Sequence, residues 1–91
     1  MKKLIWTSKF LKASEKLLNN NPELINQFKN CIKLLEENPF IPSLRTHKLK
    51  GKLSEFYSSS LNFSFRIVFE LKNNDIDTII LLNIGRHDEV Y

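Results

Sequence analysis

The spacing of the apolar residues changes once along the chain, near Pro42, and this change constrains the fold more than any other feature. Before Pro42 the apolar residues recur every three or four positions, which is typical of helices with one buried face. After Pro42 they alternate with polar residues, which is typical of strands that bury one face. A chain of 91 residues is long enough for one core. We therefore expect a single domain over residues 1–91, with helices in the first half and a sheet in the second.

The first half of the chain predicts a short strand followed by two helices. Thr7 and Ser8 each carry a hydroxyl that can cap a helix, and Asn21-Pro22-Glu23 combines a capping side chain, a preset φ and an acid in the first turn. The expected elements are a strand at 3–6, a helix at 8–19 and a helix at 22–37. Their apolar stripes are Phe10, Leu11, Ala13, Leu17 and Leu18, and then Leu24, Phe28, Cys31, Ile32 and Leu35. The short link between them predicts an antiparallel helical hairpin.

The second half predicts an antiparallel meander of three strands, at 55–60, 63–71 and 76–84. In the middle strand one face carries Phe63, Phe65, Ile67, Phe69 and Leu71, and the other carries Ser64, Arg66, Val68 and Glu70. The first of these faces is expected to pack against the helices, so that Arg66 points away from them. The fold class is therefore α+β, with the N-terminal strand and the helical hairpin packed on one face of an antiparallel sheet.

The composition excludes several classes of protein. No apolar run approaches the length of a membrane span, and the first residues become polar too early for a signal peptide, so we expect a cytoplasmic protein. The single cysteine, Cys31, cannot form an internal disulfide and fits a core position. Two distant histidines, without HExxH or CxxC spacing, argue against a metal site, and two glycines in all argue against a glycine-rich phosphate loop. The formal charge of +4 weakly favours a polyanionic partner.

Three groups of charged or titratable residues stand apart from the core pattern. They are a basic run at 45–52, Arg66 in an otherwise apolar strand, and the C-terminal residues 85–91. Each has a purely structural interpretation. The basic run can protect an exposed strand edge, Arg66 can pair with Glu70 or Glu55, and the histidine near the C-terminus can be an ordinary surface residue.

The same residues acquire a functional interpretation if the sheet brings them together. Cleavage of RNA without a metal needs a base for the 2′-OH proton, an acid for the leaving 5′-oxygen and cations for the phosphate. Histidine can perform either proton transfer, and arginine offers paired donors that match phosphate oxygens. We therefore expect His47, Arg66 and His87 to contribute to one positively charged pocket.

The sequence resembles the RelE/ParE superfamily of toxins from type II toxin–antitoxin systems, especially its YafQ-like and RelE-like members. The segments that carry the resemblance are His47-Lys48-Leu49-Lys50-Gly51, Arg66-Ile67-Val68-Phe69 and the ending Ile84-Gly85-Arg86-His87-Asp88-Glu89-Val90-Tyr91. The resemblance implies a RelE-like fold and an endoribonuclease (mRNA interferase) that cleaves mRNA in the ribosomal A site by 2′-OH attack, with no metal or cofactor. It also implies a cognate antitoxin as partner, and operator DNA bound only through that antitoxin.

The resemblance further implies a role for each candidate residue. His87 matches the catalytic histidine of YafQ-like toxins, His47 matches their other active-site histidine, and either can be the general base or the acid. Arg66 matches the strand arginine that RelE-like and YoeB-like toxins use on the phosphate. Tyr91 corresponds to a terminal aromatic that stacks on a base or orients the phosphate. The implied RNA-binding cations are Arg45, Lys48, Lys50, Lys52 and Arg86.

The resemblance is incomplete at two positions, and it leaves alternatives open. Ser60 and Ser64 stand where YafQ-like toxins carry a further histidine and an aspartate. Related ParE-type toxins share the fold but inhibit gyrase, and an inactive member would act only with its antitoxin on operator DNA. Three apolar residues can either form a groove for the antitoxin or close the core: Trp6, Phe40 and Ile41.

Overall fold

Two helices cover one face of a five-stranded sheet in the computed structural model, which describes residues 2–50, 55–72 and 77–86. The strands are β1 (Lys3–Trp6), β2 (His47–Lys48), β3 (Tyr57–Ser60), β4 (Phe65–Leu71) and β5 (Thr78–Arg86), and the helices are α1 (Ser8–Asn20) and α2 (Ile25–Glu37). Short 3₁₀ turns precede α2 at Pro22–Leu24 and β2 at Pro42–Leu44. The α+β class predicted from the sequence is confirmed.

Helix α1 begins where the sequence predicts, and its cap ties it to the sheet. The Thr7 hydroxyl accepts a hydrogen bond from the Phe10 N–H at 3.1 Å and donates one to the Leu81 carbonyl of β5 at 2.7 Å. Phe10 is fully buried, and Ala13, Leu17 and Leu18 pack partly against the core. Leu11 is 49% exposed, so its place in the predicted stripe is wrong. It lies about 100° around the helix from Phe10 and faces solvent.

The predicted second helix is divided into a 3₁₀ turn at Pro22–Leu24 and α2 proper, which begins at Ile25. Its buried residues are those expected, with Leu24 in the turn and Phe28, Cys31 and Leu35 in the helix. The helix ends at Glu37 because Asn38 is extended, at φ −168° and ψ 117°, and this is the conformation that a following proline favours. Within the described residues, neither helix has the length and apolar content needed to cross a membrane.

The strands lie in the order β1-β5-β4-β3-β2. The predicted meander is confirmed, since β3, β4 and β5 pair antiparallel in sequence order. The strand predicted at 3–6 forms one edge of this sheet, and a short strand that the sequence did not predict forms the other. At one edge β1 pairs parallel with β5, which makes the sheet mixed, and at the other the short β2 pairs with β3. A parallel pair needs a long crossover connection, and the segment that connects β1 to β5 contains the helical hairpin.

A β-bulge in β5 shifts the alternation of its side chains. Phe69 pairs with Leu81, but the preceding Val68 pairs with Asn83, so Leu82 has no partner in the register. Leu81 and Ile84 therefore both face the helices although they are three residues apart. Strict alternation would have placed Ile84 on the opposite face of the sheet.

The core lies between the helices and one face of the sheet, where Ile67, Phe69, Ile79 and Leu81 are fully buried. Phe63 was predicted to share this face, and that prediction is wrong because the side chain is 94% exposed. The strand begins only at Phe65, and residues 61–64 form the turn that precedes it.

The three apolar residues whose position the sequence left open lie at the margin of the core. Trp6 packs edge-on against Phe10, with ring centroids 5.3 Å apart, and Phe40 packs edge-on against Tyr57 at 5.7 Å. Both rings stay partly exposed, whereas Ile41 is half-buried against the core. These residues thus complete the core while leaving apolar surface open to solvent.

Candidate functional site

The sheet face opposite the helices brings two of the candidate residues to the same side of the molecule. His47 pairs with Ser58, and Arg66 pairs with Ser60. Ser58 and Ser60 are two residues apart on β3, so both pairs project from the same face. This face is the one away from the core, which takes the intervening Ile67. Two strand spacings and two residues along the strand separate His47 from Arg66, which corresponds to about 12 Å between their Cα atoms.

Two buried apolar residues lie near His47 on this face, with the buried Ser58 between His47 and Val68, and Leu49 on the side of His47 away from Arg66. Val68 pairs with Ser58 in the row of His47 and is 5% exposed, and Leu49 is 8% exposed. Both lie outside the core cluster between helices and sheet, although they are as buried as its members. The burial of these side chains lowers the local dielectric beside His47, so that a charge placed there interacts more strongly with a nearby cation or imidazole than it would in water.

His47 is exposed, and a backbone contact fixes its ring tautomer. Its Nδ1 lies 3.2 Å from the carbonyl oxygen of Arg45. A carbonyl can only accept, so Nδ1 carries the proton, and in the neutral ring Nε2 is free to accept another one. The carbonyl is directed by an unusual backbone conformation, because Arg45 has φ 50° and ψ 39°, in the left-handed region.

Strand β2 is two residues long, and a buried hydroxyl pair holds it against the body of the protein. The Thr46 hydroxyl donates to the carbonyl of Pro39 and lies 2.6 Å from the Ser59 hydroxyl. Since Thr46 has one hydroxyl proton, Ser59 is the donor in the second bond. Ser59 is fully buried, so this hydroxyl pair holds Thr46, the residue before His47, against the interior of the protein.

One nitrogen of the Arg66 guanidinium makes hydrogen bonds to the β3–β4 turn. Nη1 donates to the Asn62 carbonyl at 2.8 Å and also lies 3.3 Å from Ser60 Oγ, 3.4 Å from the Phe63 carbonyl and 3.3 Å from the Phe65 carbonyl. Its contacts within the described residues do not involve Nε or Nη2. One edge of the guanidinium therefore orients the group, and the other edge keeps the paired donors that suit a phosphate.

The structural alternative for Arg66 was an ion pair with Glu70 or Glu55. Among the residues that the structure describes, the salt bridge is instead between Lys2 and Asp77 at 3.0 Å. Glu70 lies four residues further along β4, about 13 Å away in a strand, which explains why the guanidinium turns to the nearer carbonyls.

Asn62, which lies between the strands predicted at 55–60 and 63–71, organises the surroundings of Arg66. Its Oδ1 accepts from the N–H groups of Ser64 and Phe65, at 2.9 Å each, and its Nδ2 donates to Gln27 Oε1 of α2 at 2.9 Å. Asparagine that bonds the backbone two residues ahead is a known turn signal. The link to Gln27, 35 positions away, leaves no such signal in the sequence.

The predicted cations do not all lie with Arg66. Arg45 and Lys50 are exposed next to β2, and Lys48 pairs with Tyr57, whose ring stacks on the core residue Phe69. Lys48 therefore belongs to the opposite face from His47, at the edge of the sheet.

Arg86 also lies on the helix side. It pairs with Phe65, and its guanidinium carbon is 5.0 Å from the centre of that ring. There it borders a groove of about 320 Å³ between the end of α1 and the end of β5. The structure does not bring Arg86 to the face that carries Arg66. Three further predicted residues lie outside the described residues: Lys52, His87 and Tyr91.

Comparison with known proteins identifies the family. The family model for YafQ, a bacterial toxin of type II toxin–antitoxin systems, matches residues 2–91. This chain belongs to the YafQ toxin family. It is thus a toxin of a type II toxin–antitoxin system, as its sequence suggested. No curated protein sequence matches it.

Solved structures of toxins share the fold of this YafQ-family chain. YafQ from E. coli strain BL21(DE3) is 16% identical with a TM-score of 0.80, and the match covers 100% of this chain and 99% of that one. YafQ in the E. coli DinJ–YafQ complex gives 16% identity and a TM-score of 0.77 over the same shares. A copper-bound mutant toxin from Helicobacter pylori is 30% identical with a TM-score of 0.74, over 100% of both chains. The RelE-like architecture is confirmed.

This YafQ-family toxin uses its two unusual serines within the turn that holds Arg66. Ser60 Oγ donates to the Asn62 carbonyl at 2.7 Å and accepts from Arg66, while the backbone of Ser64 bonds Asn62. Within residues 2–50, 55–72 and 77–86, no group of three or more His, Cys, Asp or Glu is placed to hold a metal ion. The described part of this face offers an imidazole and a guanidinium, with the carboxylate of Glu70 further along β4.

Proposed function

We propose that the protein is an endoribonuclease that cleaves mRNA on the ribosome and is neutralised by a cognate antitoxin. The observation that carries this proposal is the shared face of His47 and Arg66. Nε2 of His47 and the Nε and Nη2 atoms of Arg66 are not used in the bonds described above. A proton acceptor and a paired phosphate donor therefore face the same solvent region, about 12 Å apart at their Cα atoms. Both side chains can reach toward a ribose-phosphate link between them.

The proposed reaction is an internal transfer at phosphorus. A general base removes the proton of the ribose 2′-OH, the 2′-oxygen attacks the adjacent phosphorus, and the bond to the 5′-oxygen breaks as a general acid protonates that oxygen. The products are a 2′,3′-cyclic phosphate and a 5′-hydroxyl, so no water, metal or cofactor is consumed. Arg66 stabilises the negative charge that develops on the phosphate oxygens.

His47 and His87 share the two proton transfers in this proposal. The Nδ1 contact with Arg45 leaves Nε2 of His47 ready to act as the base, and the same atom can return the proton as an acid. His87 directly follows Arg86, the last residue of β5. The residue before Arg86 is Gly85, which pairs with Arg66. Tyr91 contributes stacking or phosphate orientation. Arg45, Lys48 and Lys50 supply positive charge along the β2 edge, where the RNA backbone would pass, and Lys52, which follows them in the sequence, adds to that charge.

An antitoxin follows from the family and from the surface. The DinJ–YafQ complex is a toxin bound to a partner, and the type II system named for the family consists of a toxin and an antitoxin. The partly exposed Trp6 and Phe40 offer apolar surface to an antitoxin segment that folds on binding. Operator DNA would be bound through the antitoxin, and the ribosome places the substrate in the cytoplasm.

The proposal is tested by inducing the chain in bacteria and mapping mRNA 5′ ends by primer extension. Wild type should produce cuts in phase with codons, and His87→Ala, His47→Ala and Arg66→Ala should each reduce them, by about 10²–10⁴-fold where a proton transfer is lost. Lys12→Ala, an exposed cation of α1 on the helix layer, is the matched control and should cut normally.

The same induction distinguishes the other functions of this fold. A DNA damage response with intact mRNA would overturn the ribonuclease proposal in favour of gyrase inhibition. Growth without any defect would indicate an inactive member that acts with its antitoxin on operator DNA. Cuts that persist in both histidine variants would refute the assignment of the proton transfers.

A further inference from the structure

We propose that Phe63 is a stacking platform for an unpaired nucleobase next to the phosphate bound by Arg66, an inference that rests on the proposed ribonuclease function. Phe63 is 94% exposed, whereas Leu11, also among the exposed large apolar residues, is 49% exposed. Exposing a whole phenyl ring to water gives up the free energy that its burial would contribute. Among the residues that the structure describes, seven apolar core side chains are exposed by 2% or less, so a ring left this open is better explained by a ligand than by the fold.

The turn that displays Phe63 is held in one conformation. Asn62, directly before it, accepts from the N–H groups of Ser64 and Phe65 on the far side and is tied to Gln27 of α2. The carbonyl of Asn62 also accepts from Arg66. The backbone on both sides of Phe63 is therefore fixed before any ligand arrives. Because this backbone is already ordered, only the side-chain torsions of Phe63 lose freedom on binding, which lowers the entropic cost of stacking.

The chemistry beside the ring favours a nucleotide over an apolar protein surface. Nη1 of Arg66 lies 3.4 Å from the carbonyl oxygen of Phe63, so the cation and the ring belong to the same small turn. Leu61 of that turn is buried in the core, and the other residues around the ring are polar, namely Asn62, Ser64 and the adjoining Gln27. A protein hot spot is normally surrounded by further contacts that exclude water. A nucleotide needs an aromatic face for its base and a cation for its phosphate, and this turn and the adjoining Arg66 provide one of each.

The test is the affinity of the whole protein for a short single-stranded RNA whose 2′-O-methyl groups prevent cleavage, measured by fluorescence anisotropy. Loss of a stacked base weakens binding by roughly fivefold to 150-fold, so Phe63→Ala should show a loss in this range. Phe63→Trp should restore binding, because it keeps an aromatic face. Phe63→Leu should stay weak, because it keeps apolar volume without one. Leu11→Ala, which removes an exposed apolar side chain from α1, is the control and should bind like wild type.

A second measurement separates stacking from charge. Replacing Arg66 with alanine should reduce the dependence of log Kd on log salt concentration by about 0.7, as expected for one phosphate contact to a single strand. Phe63→Ala should leave that slope unchanged, because stacking releases no counterions. An RNA with an abasic site at the stacked position should bind wild type as weakly as normal RNA binds Phe63→Ala.

Several outcomes would overturn the inference. Phe63→Leu binding RNA as well as wild type would exclude stacking. Unchanged RNA affinity in Phe63→Ala, together with weaker capture of the cognate antitoxin, would identify Phe63 as a protein contact. Because the probe cannot be cleaved, these results do not depend on catalysis. Normal RNA binding with no mRNA cuts in cells would refute the proposed nuclease while leaving the stacking role supported.

Discussion

The anchor of β2 gives a prediction that can be worked out from individual hydrogen bonds. Thr46→Val keeps the shape of the side chain but removes the hydroxyl that donates to the Pro39 carbonyl and accepts from Ser59. Two hydrogen bonds are lost, each worth about 0.5–1.5 kcal/mol, and the fully buried Ser59 hydroxyl loses its partner. The free energy of unfolding should therefore fall by about 2–3 kcal/mol. For a domain of this size that corresponds to a Tm lower by roughly 10–20 °C.

The double variant Thr46→Val/Ser59→Ala isolates the reason for this loss. With both partners apolar, no buried donor is left unsatisfied between them, so the double variant should be at least as stable as Thr46→Val alone. Ser59→Ala by itself should cost about 1 kcal/mol, because Thr46 still donates to Pro39. Urea unfolding followed by circular dichroism measures all three, and the coupling energy should exceed about 1 kcal/mol.

The functional consequence concerns His47, which follows Thr46 directly. If the hydroxyl pair positions β2, Thr46→Val should lower the rate of RNA cleavage at temperatures where the variant is still folded, and raising the substrate concentration should not restore it. Strictly additive effects in the double variant, or a Thr46→Val protein as stable as wild type, would refute the account of the anchor.

Three further predictions follow from the core, the surface and the buried thiol. Phe69→Ala removes a fully buried ring that stacks on Tyr57, so it should lower the unfolding free energy by about 3–5 kcal/mol in a urea titration, and a loss below about 1 kcal/mol would contradict its core position. Lys2→Ala breaks the ion pair with the largely exposed Asp77 and should change stability by less than about 1 kcal/mol in the same titration. Burial raises the pKa of the Cys31 thiol from 9.0 to about 12, so the stability it contributes is complete below pH 9 and is lost as the pH rises from 9 towards 12. Cys31→Ala should abolish that part of the pH dependence, and an unchanged pH profile would show that the thiol does not cause it.

The local chemistry of the sequence predicted most of the elements but not their exact limits. The Thr7 cap and the alternation in β4 each act within a few residues, and both are found in the structure. At Pro22, by contrast, a 3₁₀ turn precedes the helix, and the Asn21 side chain does not cap it. Phe63 shows where such reasoning fails. It continues the alternation of β4, but the hydrogen bonds of Asn62 turn the chain before the strand begins. Turn formation overrides the pattern because it satisfies two backbone N–H groups at once.

The candidate site was predictable as a set of residue types and less so as an arrangement. Arginine and histidine were identified from the chemistry that RNA cleavage needs. The arrangement depends on contacts that the sequence pattern does not show. These contacts fix the tautomer of His47, bind Arg66 to the β3–β4 turn and place Arg86 on the helix side of the sheet. Resemblance to the YafQ family supplied roles for these residues, but it gave no indication of the part that Asn62 and Gln27 play.

The sequence by itself determined most of the segments that become helices and strands, that they share one core and that the chain is a toxin of the YafQ family. These properties follow from patterns repeated over many residues, so a single irregularity does not erase them. The tertiary structure decided which side chains share a face. Because side chains alternate with a period of two, the one extra residue at Leu82 is enough to place Ile84 in the core and Gly85 beside Arg66. Which side chains share a face depends on pairing between strands that are distant in the sequence, and this pairing exists only in the folded chain.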